Sequence, residues 1–468
     1  MTRVKGWRAG VAVFMLFAAT AVAAPAQTFK TLASFDGTNG SDPYIGSLVQ
    51  GKDGNYYGTT TTGGAYGMGT VFRVTPEGTV TVLYSFCSQS NCSDGSDPYA
   101  GLVLSVDGNF YGTTYAGGIK GKGTVFKITP AGKMTILHSF RGTDGAQSWD
   151  GLIQATDGSF YGTTYAGGAN KFGTIFKITP TGALSTVYNF CSRSKCTDGS
   201  WPVGRLLQAT DGNFYGTTSA GGTSSNCGHS GCGTVFKITQ GGQLTTLHSF
   251  DRDDGEQPWA GLIQAVDGNF YGTTNFGDIE SGTVFKMTAN GSVKVLYSFS
   301  GTDNPAVGFV QGTDRKFYGA TWWGGTRQYG TLFNITSGGQ LKTLHTFEGP
   351  DGAAPWGAVF QSTNGMFYGT TEQGGTFNDG TFFRLSMGLA PFVAFVRGSG
   401  KVGATVEILG QGFTGTSSVA FNGSAGSFVV HSDTYLTATV PQGASTGFVS
   451  VATPGGTLQS NVVFRVRK

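Results

Sequence analysis

The chain has 468 residues, of which 79 are glycine and 36 phenylalanine, while only 12% are charged and the formal net charge is +3. That excess lies in the first 26 residues, which hold Arg3, Lys5 and Arg8 and no acid, so the remainder is neutral. Without a polybasic run, the composition excludes a nucleic-acid partner.

The N-terminus comes first in chain order. After its basic residues an apolar stretch runs from Ala9 to Ala23, followed by Ala24-Pro25-Ala26. This reads as a secretory signal peptide, residues 1–26, cleaved after Ala23 or Ala26. The stretch is short for a membrane span, so the mature protein is expected outside the cytoplasm, secreted, extracellular, on the cell surface or periplasmic, with no transmembrane segment left after cleavage.

From residue 27 the chain repeats itself. The phrase Asp-Gly-Asn-Phe-Tyr-Gly-Thr-Thr recurs seven times with small changes, its tyrosines being Tyr57, Tyr111, Tyr161, Tyr215, Tyr271, Tyr318 and Tyr368. The intervals of 54, 50, 54, 56, 47 and 50 residues suit one four-stranded propeller blade each. In the unit from Gly101 to Phe140, an apolar run leads into the turn Asp107-Gly108, and Asn109–Tyr115 makes a second strand. Gly117-Gly118 breaks the chain, 123–129 makes a third strand, and 133–140 a fourth. The expected fold is all-β: a seven-bladed propeller over 27–387, followed by a second domain over 388–468. Residues 28–35 match a fourth strand whereas the seventh unit stops after its third, so these residues are expected to complete the seventh blade and remove an open sheet edge. Glycine falls at fixed phases, which points to geometric use, as at Gly112 and Gly162, where blades approach closely.

The six cysteines form three pairs, Cys87 and Cys92, Cys191 and Cys196, Cys227 and Cys232, each inside one of the three longest intervals. Local disulfides stapling loop insertions in an oxidising compartment are expected. A zinc site needs four ligands at one point, and only His229 lies near a pair, so no metal is assigned.

After Gly388-Leu-Ala-Pro391 the repeat stops, and short strands divided by Gly, Asn and Pro turns suit an immunoglobulin-like sandwich. Gly410 to Phe413, Val419 to Gly423, Ser432 to Pro441 and Thr453 to Gly456 carry a resemblance to the IPT/TIG family, which implies a spacer or interaction module. The repeat itself, with Gly-Thr-Val-Phe-Lys-Ile-Thr and Leu-His-Ser-Phe as further signatures over 28–385, resembles the GloVer-type repeat of exported bacterial "choice-of-anchor" proteins. That resemblance implies secretion or surface display and carries no activity to particular residues.

His138, His248 and His345 share one phase of the fourth strand with Tyr84, Tyr188, Tyr297 and Ala33, which marks a surface structural position rather than an acid-base site. The turn aspartates Asp53, Asp107, Asp157, Asp211 and Asp267 offer one carboxylate each, less than calcium asks for, and Asp-Gly hairpin chemistry accounts for them. The loop series Asp94, Asp144, Asp198, Asp254 and Asp351 reads as turn chemistry too. Tyr44, Tyr99, Trp149, Trp259 and Trp356 share one phase just before the first strand, with Trp201 one residue away and Trp322-Trp323 in the short sixth unit. They form either an exposed ligand-binding rim or packing wedged between blades. No nucleophile elbow, zinc-protease helix or phosphate loop occurs, and no cofactor is implied. The reading is an exported, non-catalytic binding or scaffold protein for a polysaccharide or surface protein. The alternatives are a polysaccharide-active lyase or hydrolase with a central-channel site, and a structural surface-layer component.

Overall fold

The computed structural model describes residues 27–277, 281–301, 303–305 and 308–467; the signal-peptide reading falls on residues outside these. Residues 28–386 form seven four-stranded antiparallel sheets. In the second of them Val103–Leu104, Phe110–Thr114, Thr124–Ile128 and Met134–Ser139 run in sequence order, and the others repeat that order. The first strand is only two residues long, shorter than its apolar run suggests. A Cβ on Gly101 would lie 2.4 Å from the Ser47 carbonyl oxygen, so neighbouring inner strands meet backbone to backbone and the ladder gives way to that crowding. The seventh sheet takes Thr28–Ser34 as its fourth strand, pairing Thr28 with Ser386 and Ser34 with Thr381.

Residues of the repeated phrase do closely similar work from sheet to sheet, although in the seventh Asn364 replaces the turn aspartate and donates to the Tyr368 hydroxyl. Tyr111 donates its hydroxyl to Asp107 at 2.8 Å. The hydroxyls of Thr114 and Thr124 pair at 3.0 Å inside the sheet. Gly112 leaves space for a ring, since a Cβ there would approach Phe126 Cζ to 2.6 Å. Between sheets, Tyr57 stacks on Phe110 and Tyr111 on Phe160, both at 4.0 Å. The series continues to Tyr318 on Phe367 and returns through Tyr368 against Tyr56 at 4.5 Å. A second series runs Phe86 to Phe126 and onward, and returns through Phe35 to Phe72 at 5.2 Å. Both series close on themselves, so every sheet is packed on two neighbours by offset or edge-on aromatic pairs.

The three cysteine pairs are disulfides. Apart from three short 3-10 turns, two of them at Cys92 and Cys196, the described residues contain no helix. None of them is long and apolar enough to cross a membrane.

Residues 394–467 build two further four-stranded sheets and a parallel pair, Ser399–Lys401 with Arg465–Arg467. Val406, Ile408, Phe413, Leu436, Val449 and Phe464 share one buried core between the sheets. This module sits on the ends of the inner strands that carry the Asp-Gly turns. Arg397 Nη2 donates to the carbonyls of Ala155, at 3.2 Å, and of Thr156. Arg467 reaches Thr156 O at 3.1 Å and Arg465 reaches Ala209 O at 3.3 Å. Thr434 donates to Lys52 O at 2.9 Å, and Phe392 N–H to Thr363 O at 2.9 Å. One end of the central channel is thereby covered.

Candidate functional site

The uncovered end is built from one backbone motif used seven times. The residue that follows the second strand, Thr61, Tyr115, Tyr165, Ser219, Asn275, Trp322 or Glu372, donates its N–H to the carbonyl of Asp42, Asp97, Gln147, Trp201, Gln257, Asn304 or Ala354 respectively, at 2.9–3.1 Å. Six of these acceptor residues, all but Asn304, hold φ between 53° and 60°. That left-handed conformation costs a residue other than glycine about 1 kcal/mol or more, and such strain clusters at functional sites. The frame is constant while its side chains vary, a residue type recurring only as Tyr115 and Tyr165 among the donors and as Asp42 and Asp97, and Gln147 and Gln257, among the acceptors, a pattern in which the backbone is structural and the side chains are free to differ.

Five of the aromatic residues in the expected phase come together here. Trp259 stacks against Trp356 at 6.3 Å, Trp356 meets Tyr44 at 5.0 Å, Tyr44 meets Tyr99 at 5.4 Å, and Tyr99 meets Trp149 at 5.5 Å. Tyr165 and Trp201 extend the arc, and Tyr115 stacks on Tyr99 at 4.6 Å. Trp322 stacks on Trp356 at 4.5 Å, while Trp323 stands 42% exposed beside it. Only Trp356 of the five is buried; the others are half-buried. They touch one another around the mouth, and they also pack inward: Trp356 belongs to a buried cluster with Ala320, Leu332 and Phe367, against which Tyr44, Trp259 and Trp322 lie.

Buried polar atoms without a partner concentrate at this mouth. Thr61 Oγ1, Trp149 Nε1, Asn275 Oδ1, Asn304 Oδ1 and Trp322 Nε1 have no hydrogen-bond partner among the described residues. Orphaned buried groups are rare and costly, so five in one region describe a surface that lacks its complement. Glu372 is the one acid among the seven donors. Burial, and then the charge of Asp42, push its carboxyl up to about 7, against a hydrogen bond with the Trp356 side chain. Burial likewise raises the Asp97 carboxyl, and burial with Glu372 and Tyr99 raises the Tyr44 phenol.

Below the mouth lies a cavity of about 810 Å³ lined by Trp149, Trp259 and Trp356 at one end and by Arg397, Ser399 and Arg465 of the C-terminal module at the other. A second cavity, of about 390 Å³, shares Ser47, Arg205, Phe309, Ala358 and Val396 with it. Asp150 is the one carboxylate lining either. It accepts the N–H of Gly151 at 2.5 Å and of Arg205 at 2.8 Å, yet burial still holds its carboxyl above the ordinary range.

The histidines belong elsewhere, and the surface reading of them needs correction. His138, His248 and His345 are about one-fifth exposed and bond Asp144, Asp254 and Asp351 at 2.8, 2.6 and 2.7 Å. Tyr84 and Tyr188 bond Asp94 and Asp198 in the same way, both at 2.7 Å. Two residue series that look separate in the sequence are thus halves of one brace across five of the loops. The turn aspartates are likewise occupied: Asp157, Asp211 and Asp267 each take a tyrosine hydroxyl and a lysine. Among the described residues no group of three His, Cys, Asp or Glu is placed to hold a metal.

Glu372, Arg205 and Asp150 escape a reading of the repeat. Six residues before each turn Asp or Asn stand Ser47, Gly101, Gly151, Arg205, Gly261, Gly308 and Ala358. A single long cation in a column of small residues is the signal that finds Arg205, and aligning the units one residue earlier finds Asp150.

Among solved structures the chain resembles a streptogramin B lyase, at 14% identity over 77% of this chain and 97% of that one, with a TM-score of 0.53. A catalytically inactive virginiamycin B lyase from Staphylococcus aureus with quinupristin is similar at 13% identity, 77% and 99% coverage and a TM-score of 0.54. The extracellular domain of BT4673 from B. thetaiotaomicron, described as a one-component system, matches at 10% identity over 95% of this chain and 58% of that one, with a TM-score of 0.51. These likenesses show a propeller-like fold alone. No curated protein sequence matches. The model of the Gloeobacter/Verrucomicrobia repeat matches residues 15–156, 131–308 and 280–411, and the chain belongs to that repeat family.

Proposed function

We propose that this is an exported, non-catalytic binding protein: a seven-bladed propeller whose channel is closed at one end by an IPT/TIG-like sandwich and whose open mouth takes a carbohydrate. The observation that carries this reading is the coincidence, on one face, of half-buried aromatic rings with five buried polar atoms that lack partners among the described residues. Sugars present apolar C–H faces for rings and hydroxyls for donors and acceptors, so they answer both halves of that surface. Three disulfides fit an oxidising compartment outside the cytoplasm. The test is retention of the mature protein on a panel of insoluble polysaccharides. One polymer should hold it, and replacing Trp149, Trp259 and Trp356 together by alanine should weaken retention at least about tenfold, since stacked rings contribute about 0.5–1.5 kcal/mol each. Absence of retention on every polymer, or equal retention of the triple variant, would sink the carbohydrate reading and leave a protein ligand or a structural surface-layer role.

A second reading, a polysaccharide-active lyase or hydrolase, is favoured by Glu372. A carboxyl raised to about 7 beside a second carboxylate, Asp42, is the kind of pair in which one group is acid and the other base. Release of soluble sugars from the retained polymer, lost in Glu372→Gln, would select this reading.

A further inference from the structure

The cavity beneath the mouth has walls of a different chemistry from the rim. Ile153, Leu207, Ile263, Phe309 and Phe448 line it, so its middle is apolar. Into this region the fourth sheet inserts Arg205. Its Nε and Nη2 both donate to one acceptor, Leu152 O, at 3.1 and 2.8 Å. That leaves the outer edge of the guanidinium, Nη1 and the second N–H of Nη2, without a protein hydrogen bond among the described residues, and Arg205 lines both cavities where they join. Asp150 interacts with this cation through its charge, but its oxygens accept main-chain N–H groups and no guanidinium N–H, so the outer edge of Arg205 stays without a hydrogen bond among the described residues. At the floor, Arg397 Nε and Ser399 Oγ are buried without partners among the described residues, and Arg465 adds a third cation to the lining. Three arginines and one carboxylate line the cavity, with Glu407 and Asp157 near Arg397 and Asp211 near Arg465 behind the lining, and a desolvated guanidinium with a free edge favours a two-oxygen anion. The fourth unit also places Val203 where its neighbours place Trp149 and Trp259, and Val203 lines the cavity with Arg205.

We propose that the channel is a second ligand site, independent of the mouth reading, which holds an amphiphile with an apolar body against the inner strands and a carboxylate head on the free edge of Arg205. A volume of about 810 Å³ lies within the ordinary range for small-molecule sites, about 300–1,000 Å³. The covered end makes the site a dead end, entered from the mouth.

Dodecanoate, kept below its micelle concentration at pH 8, is the probe. Its binding to the mature protein is followed by calorimetry and by the fluorescence of Trp149, Trp259 and Trp356, which line the cavity. Dodecanoate should bind about tenfold or more tighter than dodecanol and dodecyltrimethylammonium, the range expected for one charge-assisted hydrogen-bonded contact. Arg205→Met should erase that preference while leaving dodecanol affinity as it was. Arg205→Lys, which keeps the charge but not the fork, should fall between, and serves if the methionine variant does not fold. Equal affinity for the three probes, no binding of dodecanoate, or an unchanged preference in a folded Arg205 variant would overturn the proposal. Polysaccharide retention is read separately, so a failure here leaves the mouth reading standing, and the reverse.

Discussion

Replacing Glu372 by glutamine should stabilise the protein in a way that depends on pH. The carboxyl is raised from 4.5 to about 7, first by burial and then by Asp42. The folded state therefore holds this proton more tightly than the unfolded chain does, and stability falls as pH rises from about 4.5 to about 7. A shift of that size sets a ceiling of about 3 kcal/mol. Because the side chain is only half-buried, solvent screening brings the expected effect to about 1–2 kcal/mol. At pH 4 both proteins carry a neutral group at this position and should melt together. At pH 8 Glu372→Gln should melt a few degrees higher, its amide oxygen still able to accept from Trp356. Asp42→Asn should recover part of the same gain by removing the second cause. Thermal denaturation of the three proteins in steps from pH 4 to pH 8 gives the result directly. Melting curves that stay parallel across the range, or a glutamine variant less stable at pH 8, would show that Glu372 is an ordinary solvated carboxylate.

Three further outcomes follow from packing and covalent structure. Gly162→Ala brings a Cβ to 2.7 Å from Phe176 Cζ and 2.8 Å from Leu152 Cδ2; overpacking should cost about 1–3 kcal/mol, measured by denaturant unfolding, and a neutral change would contradict the close fit. Mature protein should take up no alkylating agent at its six cysteines until reductant is added, because all are paired; labelling without reductant would refute the pairing. Deleting residues 28–34 strips the partner strand from Thr381–Ser386 and removes Phe29 from its contacts with His345, Phe347 and Phe383. The melting temperature should drop by about 10 °C or more, and an unchanged value would mean that the ring does not depend on this strand.

The repeated sheets are legible in the sequence because residues of the phrase have local, closely similar tasks. Asp107 can be anticipated as a turn residue from its phase alone, whereas Gly112, expected where blades approach each other, instead makes room for Phe126, its cross-strand partner in the same sheet. What cannot be read this way is contact between phases. His138 and Asp144 are six residues apart on either side of a loop, and only the folded loop shows that each occupies the other. The first strands shrink to two residues because seven of them crowd one axis, a constraint that no single unit contains. The aromatic phase was visible, but its partners Tyr115, Tyr165 and Trp322 occupy a different phase on the next strand, where residue types vary from unit to unit. In one sequence such variation looks like drift; in the structure the varying positions face a common mouth.

The division between constant and variable positions also bears on how the two proposed sites relate. Strand pairing, the tyrosine stacks and the threonine pairs repeat around the ring, so each unit is stabilised alike and none has to be special for the fold to close. That leaves the residues at the mouth and along the axis free to differ, and the differences are concentrated there: Glu372 beside Asp42, Val203 between Trp149 and Trp259, Arg205 in a column of glycine, alanine and serine. The C-terminal module turns the axis into a dead end by placing Arg397, Arg465 and Arg467 on carbonyls at the turn ends of the inner strands. A polymer cannot thread a blind channel, so a polysaccharide would engage the rim and lie across it, whereas a short amphiphile can enter and be held by its full length. The same closure that denies passage to a long chain is what gives a small anionic molecule walls on every side but one.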